Sequence, residues 1–179
     1  MSNSSERHFT VRRIALLSLL TAAITVGRLA FALPFLPNIQ PMTAMLIIIV
    51  LKMDVIDGLV VAFTSMILTN MILGMGPWTI AQMASFGVIV VLTALLKVFY
   101  KPGSFINRIF FSAWGLLVGF IYGIVISYIT YHLLSLSNFW VYWLNGLPFD
   151  FLHGIGTVAF YFILEPIFEP LIDKYYRNL

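Results

Sequence analysis

The chain reads as an all-α integral membrane protein with six transmembrane helices and both termini cytoplasmic, and three observations predict this. Of its 179 residues 61% are hydrophobic and only 9% charged, with a mean hydropathy of +0.99. A soluble domain is about 45–50% apolar and about 25% charged, and so few polar residues cannot build a water-facing exterior for a chain of this size. The apolar residues fall into six runs separated by Pro, Gly and charged residues. Basic residues sort to one side of those runs, as they do in cytoplasmic loops.

A spanning helix needs about 20 mostly apolar residues, and the runs are read against that length. The first covers Ile14–Leu33 after Arg12 and Arg13; it is too long for a cleaved signal peptide and carries Arg28 inside it. Pro34, Pro37 and Pro41 then forbid a continuous helix. The second run, Met42–Leu51, is short: ten helical residues reach about 15 Å, so it crosses only with help from flanking residues or from a loop at membrane depth. Lys52, Asp54 and Asp57 form a polar turn, and the third run is Gly58–Leu73. Gly74-Met-Gly76-Pro77-Trp78 breaks the chain before the fourth, Thr79–Tyr100. The fifth runs from Ile106 to Leu134, and the sixth from Pro148 to Phe162 or beyond. The expected organisation is one membrane domain over 1–179: a cytoplasmic segment 1–11, a six-helix bundle 12–175 and a tail 176–179.

With both termini cytoplasmic, Arg7, Arg12, Arg13, Lys52, Lys97, Lys101, Arg108, Lys174 and Arg177 share one side, nine of the ten basic residues. The formal charge of +3 thus encodes orientation rather than a footprint for nucleic acid. The opposite connections, Pro34–Pro41, Leu73–Trp78 and Ser135–Leu147, hold Trp78, Phe139, Trp140, Tyr142 and Trp143 with Asn38, Gln40, Asn138 and Asn145, and no Lys or Arg. Such rings form either a belt at headgroup level or the mouth of a site for an organic ligand.

The polar residues within the apolar runs are few. Arg28 either snorkels to the outer interface or faces a cavity, with Asp150 as its partner, since an intramembrane charge is expensive unless paired or hydrated. Asp150 and His153 are three apart at the expected start of the sixth helix and share a face; an acid there also suits a helix N-terminus. Asn70, Thr79, Gln82 and Asn145 lie near the outer ends of their runs, as interhelical hydrogen-bond partners or ligand contacts. The substrate-binding candidates are Asn38, Gln40, Asn70, Trp78, Gln82, Asp150 and His153. On the first helix Ala15, Ser18, Ala22 and Ala23 make a flat small-residue face, for packing against the chain's own helices or for docking a partner. Gly115, Gly119 and Gly123 repeat every four residues on the fifth, suited to internal packing.

No catalytic reading emerges. There is no cysteine, no H-E-x-x-H, no G-x-S-x-G and no Walker A pattern. The expectation is a non-enzyme without metal or cofactor.

Pro37-Asn-Ile-Gln-Pro41-Met-Thr-Ala44, Asn70, Gly74-Met-Gly-Pro-Trp78-Thr-Ile-Ala-Gln82-Met83 and Pro148-Phe-Asp150-Phe-Leu-His153, in a six-helix chain of this size, resemble the substrate-binding S components of energy-coupling factor (ECF) transporters. The resemblance covers essentially the whole chain and is nearest to the branch associated with cobalamin or its precursors. It implies a subunit of an ECF-type ABC importer in a prokaryotic plasma membrane. Such a subunit binds a vitamin from outside, then topples when docked on a coupling transmembrane subunit driven by two ATPases. The bound vitamin is substrate, not cofactor. The family's docking pattern on the first helix is Ala-x-x-x-Ala; here the registers read Ala15-Leu-Leu-Ser-Leu19 and Ser18-Leu-Leu-Thr-Ala22, both imperfect copies. Riboflavin and folate are the other vitamins that fit, and a free-standing secondary transporter is the alternative class.

Overall fold

The computed structural model describes residues 10–32 and 38–176. Six α-helices follow in order: α1 Val11–Ala30, α2 Met42–Lys52, α3 Val55–Leu73, α4 Trp78–Leu96, α5 Phe105–Leu133 and α6 Phe139–Tyr176, with a 3₁₀ turn over Lys97–Phe99. No strand occurs among the described residues. Five of the helices are long and apolar enough to cross a membrane; α2 is shorter. Arg7, Pro34, Pro37 and Arg177 lie outside the described residues.

Polar caps decide where the helices begin. Thr10 accepts from the Arg13 backbone N–H at 3.3 Å and starts α1 three residues before the apolar run. Asp54 precedes α3, and its backbone N–H donates to Asp57 Oδ2 at 3.3 Å. Ser104 starts α5 by accepting from Asn107 N–H at 3.4 Å.

The largest departure from expectation is α6. It does not begin near Pro148: the Asn138 side chain accepts from Val141 N–H at 3.2 Å, the helix starts at Phe139, and Pro148, Pro166 and Pro170 all lie inside it. An effective cap outweighs the break that a proline signals, and the expected outer connection over Ser135–Leu147 shrinks accordingly. The 38 residues reach about 57 Å at 1.5 Å each, well beyond a hydrocarbon core of about 30 Å. Asp150 stands about three turns inside this helix, so a helix N-terminus does not explain its charge.

The short α2 occupies the centre. All ten residues from Met42 to Leu51 are buried, and the helix packs against each of the other five. A helix apolar on every side belongs in a core, which is why its length need not match the bilayer. Around it, glycine permits close approach where α5 meets α6. A Cβ on Gly119 would fall 2.5 Å from the Asp150 carbonyl oxygen and the Gly154 nitrogen, and one on Gly154 2.7 Å from the Leu116 carbonyl oxygen. The Gly115/Gly119/Gly123 repeat therefore serves internal packing.

Candidate functional site

The two ends of the bundle differ in their charges. At one end Arg13 of α1 meets Asp57 at 2.8 Å and Asp54 at 3.8 Å. Lys52 meets Asp173 at 2.7 Å and Glu169 at 3.2 Å, and Arg108 meets Glu165 at 2.6 Å. Glu165, Glu169 and Asp173 recur every four residues along α6 and so face one way, toward Lys52 and Arg108. Lys97 donates to the Met53 carbonyl. These contacts tie α1, α2, α3, α5 and α6 together at one end.

The other end contains a polar cavity. The backbone after α1 returns to α2 through Asn38-Ile39-Gln40-Pro41, with Asn38 at φ 66°, a left-handed conformation that Asn tolerates. This irregular segment is admitted by glycine on both flanks. A Cβ on Gly27 would lie 2.7 Å from Pro41 Cγ, and one on Gly156 3.1 Å from Ile39 Cα. Non-helical backbone within a membrane protein is tolerated where it lines a cavity, and Asn38 and Gln40 do so here. Asn38 and Gln40 reach a compartment of about 200 Å³ together with Arg28, Gln82, Tyr122 and His153. A second compartment, about 330 Å³, shares Asn38, Gln82 and Tyr122 and is also lined by Tyr142, Phe149 and Asp150.

Behind the first compartment lies a hydrogen-bonded layer. Arg28 Nη1 donates to Thr69 Oγ1 and, at 3.0 Å, to Asn70 Oδ1. Asn70 Nδ2 donates to Gln82 Oε1 at 2.7 Å and Thr79 Oγ1 at 3.0 Å. Both Asn70 N–H groups and its oxygen are thereby engaged, and it orients Arg28 and Gln82 rather than lining the cavity. On the far wall a 2.7 Å hydrogen bond joins Thr43 Oγ1 to His153 Nε2, and the His153 ring stands edge-on to Tyr122, centroids 4.8 Å apart. His153 Nδ1 and Asp150 Oδ2 are buried without a hydrogen-bond partner among the described residues. The Asp150 carboxylate lies on α5 where a Gly123 side chain would be.

Of the seven candidates, Asn38, Gln40, Gln82, Asp150 and His153 line the two compartments, and Asn70 stands directly behind. Trp78 does not join them: it begins α4 with half its surface exposed, its ring folded over Gly76, and lines neither compartment. The expected Arg28–Asp150 ion pair is also absent. Arg28 is 8% exposed and Asp150 6%, yet each lacks an oppositely charged partner within 4 Å among the described residues. Tyr122 is not among the residues the sequence points to; its only signal is a polar ring beside Gly123.

On the surface of α1, Ala15, Ser18 and Ala22 are exposed and Ala23 is half-buried. Ser18 and Ala22 line an open, mainly apolar groove of about 510 Å³ against Val60, Thr64 and Leu68 of α3, so most of the small-residue face points away from the bundle. Among the described residues no group of three or more His, Cys, Asp or Glu side chains could hold a metal ion. No protein-family model, curated protein or solved structure matches the chain.

Proposed function

We propose that the chain is the substrate-binding S component of an ECF-type ABC importer. It captures a vitamin at the polar cavity and delivers it by toppling on a coupling transmembrane subunit driven by two ATPases. The observation that carries this reading is the two-compartment cavity, polar and partly unsatisfied, at the end of an apolar bundle opposite the paired charges. In this reading the paired end and both termini face the cytoplasm of a prokaryotic cell, the cavity opens outward, and the exposed Ala15–Ser18–Ala22 face of α1 takes the coupling subunit. The chain carries no catalysis of its own, and the vitamin is substrate rather than cofactor. Cobalamin or a related corrinoid is the vitamin proposed, from the resemblance; riboflavin and folate are the alternatives.

A free-standing secondary transporter is the second reading, favoured by one observation: Asp150 and His153 are buried, titratable and incompletely partnered near a buried Arg28, as proton-carrying residues are. Reconstitution separates the two. The expected result is vitamin accumulation in proteoliposomes only when the coupling subunit, both ATPases and ATP are present, with Ala22→Trp abolishing assembly but not vitamin binding. Accumulation by the chain alone under a proton gradient would overturn the S-component reading.

A further inference from the structure

Arg28 is the residue whose position the bundle explains least. A guanidinium has five N–H donors in a planar fork. Two, both on Nη1, are spent on Thr69 and Asn70. The Nε–H and the Nη2 pair have no partner among the described residues, and Arg28 lines the smaller compartment. A buried charge of this kind destabilises a fold unless something compensates it, and snorkelling to an interface would leave it more exposed than 8%. Neutral acceptors at one edge fix the orientation of the fork while leaving its charge intact. The open Nε/Nη2 edge has the two-donor spacing that grips a carboxylate or phosphate bidentately.

The counter-charge expected for it is withheld. Asp150 belongs to the second compartment, seated on Gly123 of α5, and forms no ion pair with Arg28. Opposite charges held apart around joined compartments make a dipolar site. Aromatic surface from Tyr122, Tyr142 and Phe149 lies along the second compartment, with unpaired acceptor capacity at Asp150.

We propose that Arg28 is the anion-receiving residue of the site, and that the ligand is an organic oxyanion whose carboxylate or phosphate docks on the Nε/Nη2 edge while its flatter body, bearing N–H or O–H donors, lies toward Tyr122 and Asp150. This deepens the proposed binding function and rests on it for the identity of the site, but not on the coupling module. Asn70 and Thr69 are positioning residues for the same fork.

The test uses the purified full-length chain in detergent, treated with phenylglyoxal, which modifies accessible guanidinium groups, and read by peptide mass spectrometry. Labelling is followed in sodium acetate, sodium phosphate and sodium chloride at one ionic strength. The expected result is that acetate or phosphate slows modification of Arg28 at least fivefold relative to chloride while leaving the exposed Arg12 unchanged. Protection by acetate alone identifies a carboxylate ligand, and protection by phosphate alone a phosphorylated one. Equal labelling in all three salts, or no labelling of Arg28 in chloride, overturns the proposal. As a second measurement, Arg28→Lys keeps the charge but loses the fork, and the rise in unfolding midpoint with the protecting anion should need at least tenfold more salt; an unchanged response also overturns it. Protection at Arg28 without ATP-dependent uptake by the complete transporter would sink the S-component reading alone.

Discussion

The two ends of the bundle hold the same kinds of side chain under opposite conditions. At the paired end Asp54, Asp57, Glu165, Glu169 and Asp173 all face a Lys or Arg, and each contact crosses from one helix to another or to an adjoining turn. At the cavity end Arg28 and Asp150 are equally buried and face no opposite charge among the described residues. Removing one partner from a buried pair leaves an uncompensated charge, whereas deleting Arg28 or Asp150 strands no opposite charge. Charge at the first end therefore holds helices together, and charge at the second stands ready for something that is not part of the bundle.

The contrast can be broken by mutation. The largest effect should come from Asp57→Ala, because Asp57 is fully buried and Arg13 donates to it through Nε at 2.9 Å and approaches it through Nη2 at 2.8 Å. Its loss removes the closest counter-charge of a buried guanidinium and should destabilise by about 3–5 kcal/mol, seen as a large drop in the unfolding midpoint in detergent. A destabilisation under about 1 kcal/mol would mean that the pairing at this end contributes little.

The cavity end should behave differently in the same assay. Arg28→Ala and Asp150→Ala are expected to have additive effects on stability, with a coupling below about 0.5 kcal/mol, because the two do not touch. A coupling of about 2 kcal/mol or more would show that they pair in solution, and the two ends would then be alike. Smallest of all should be Trp78→Ala, a half-exposed side chain outside both compartments. Ligand affinity should change by no more than about 0.5 kcal/mol, measured by direct binding. A larger loss would extend the site to the surface of α4.

Much of this was legible in the sequence, and the reasons are local. Hydropathy and charge located all six helices, because apolar length and polar breaks are properties of short stretches of chain. The Gly115/Gly119/Gly123 repeat announced a close helix contact, since an i, i+4 spacing puts all three on one face. Asn38, Gln40 and Gln82, polar residues beside helix breaks or near the outer end of a run, line one compartment. The start of α6 was misread because Pro148 is a visible breaker, whereas the cap that overrides it is a single Asn138 hydrogen bond. Trp78 lies outside both compartments, and aromatic character in a sequence does not say whether a ring faces inward or outward.

The sequence by itself determined that the chain is helical, that it holds six apolar runs of which the second is short for a membrane span, and that its acids and bases are too few to be incidental. Which charges meet was decided only by the tertiary structure. Arg13 finds Asp57 forty-four positions away, while Arg28 is turned toward Thr69 and Asn70 of α3 and Asp150 is seated on α5. Periodicity fixes the face on which a side chain lies, but not which helix packs against that face. That choice depends on the buried α2 and on glycine contacts between α5 and α6, and these set every distance across the cavity.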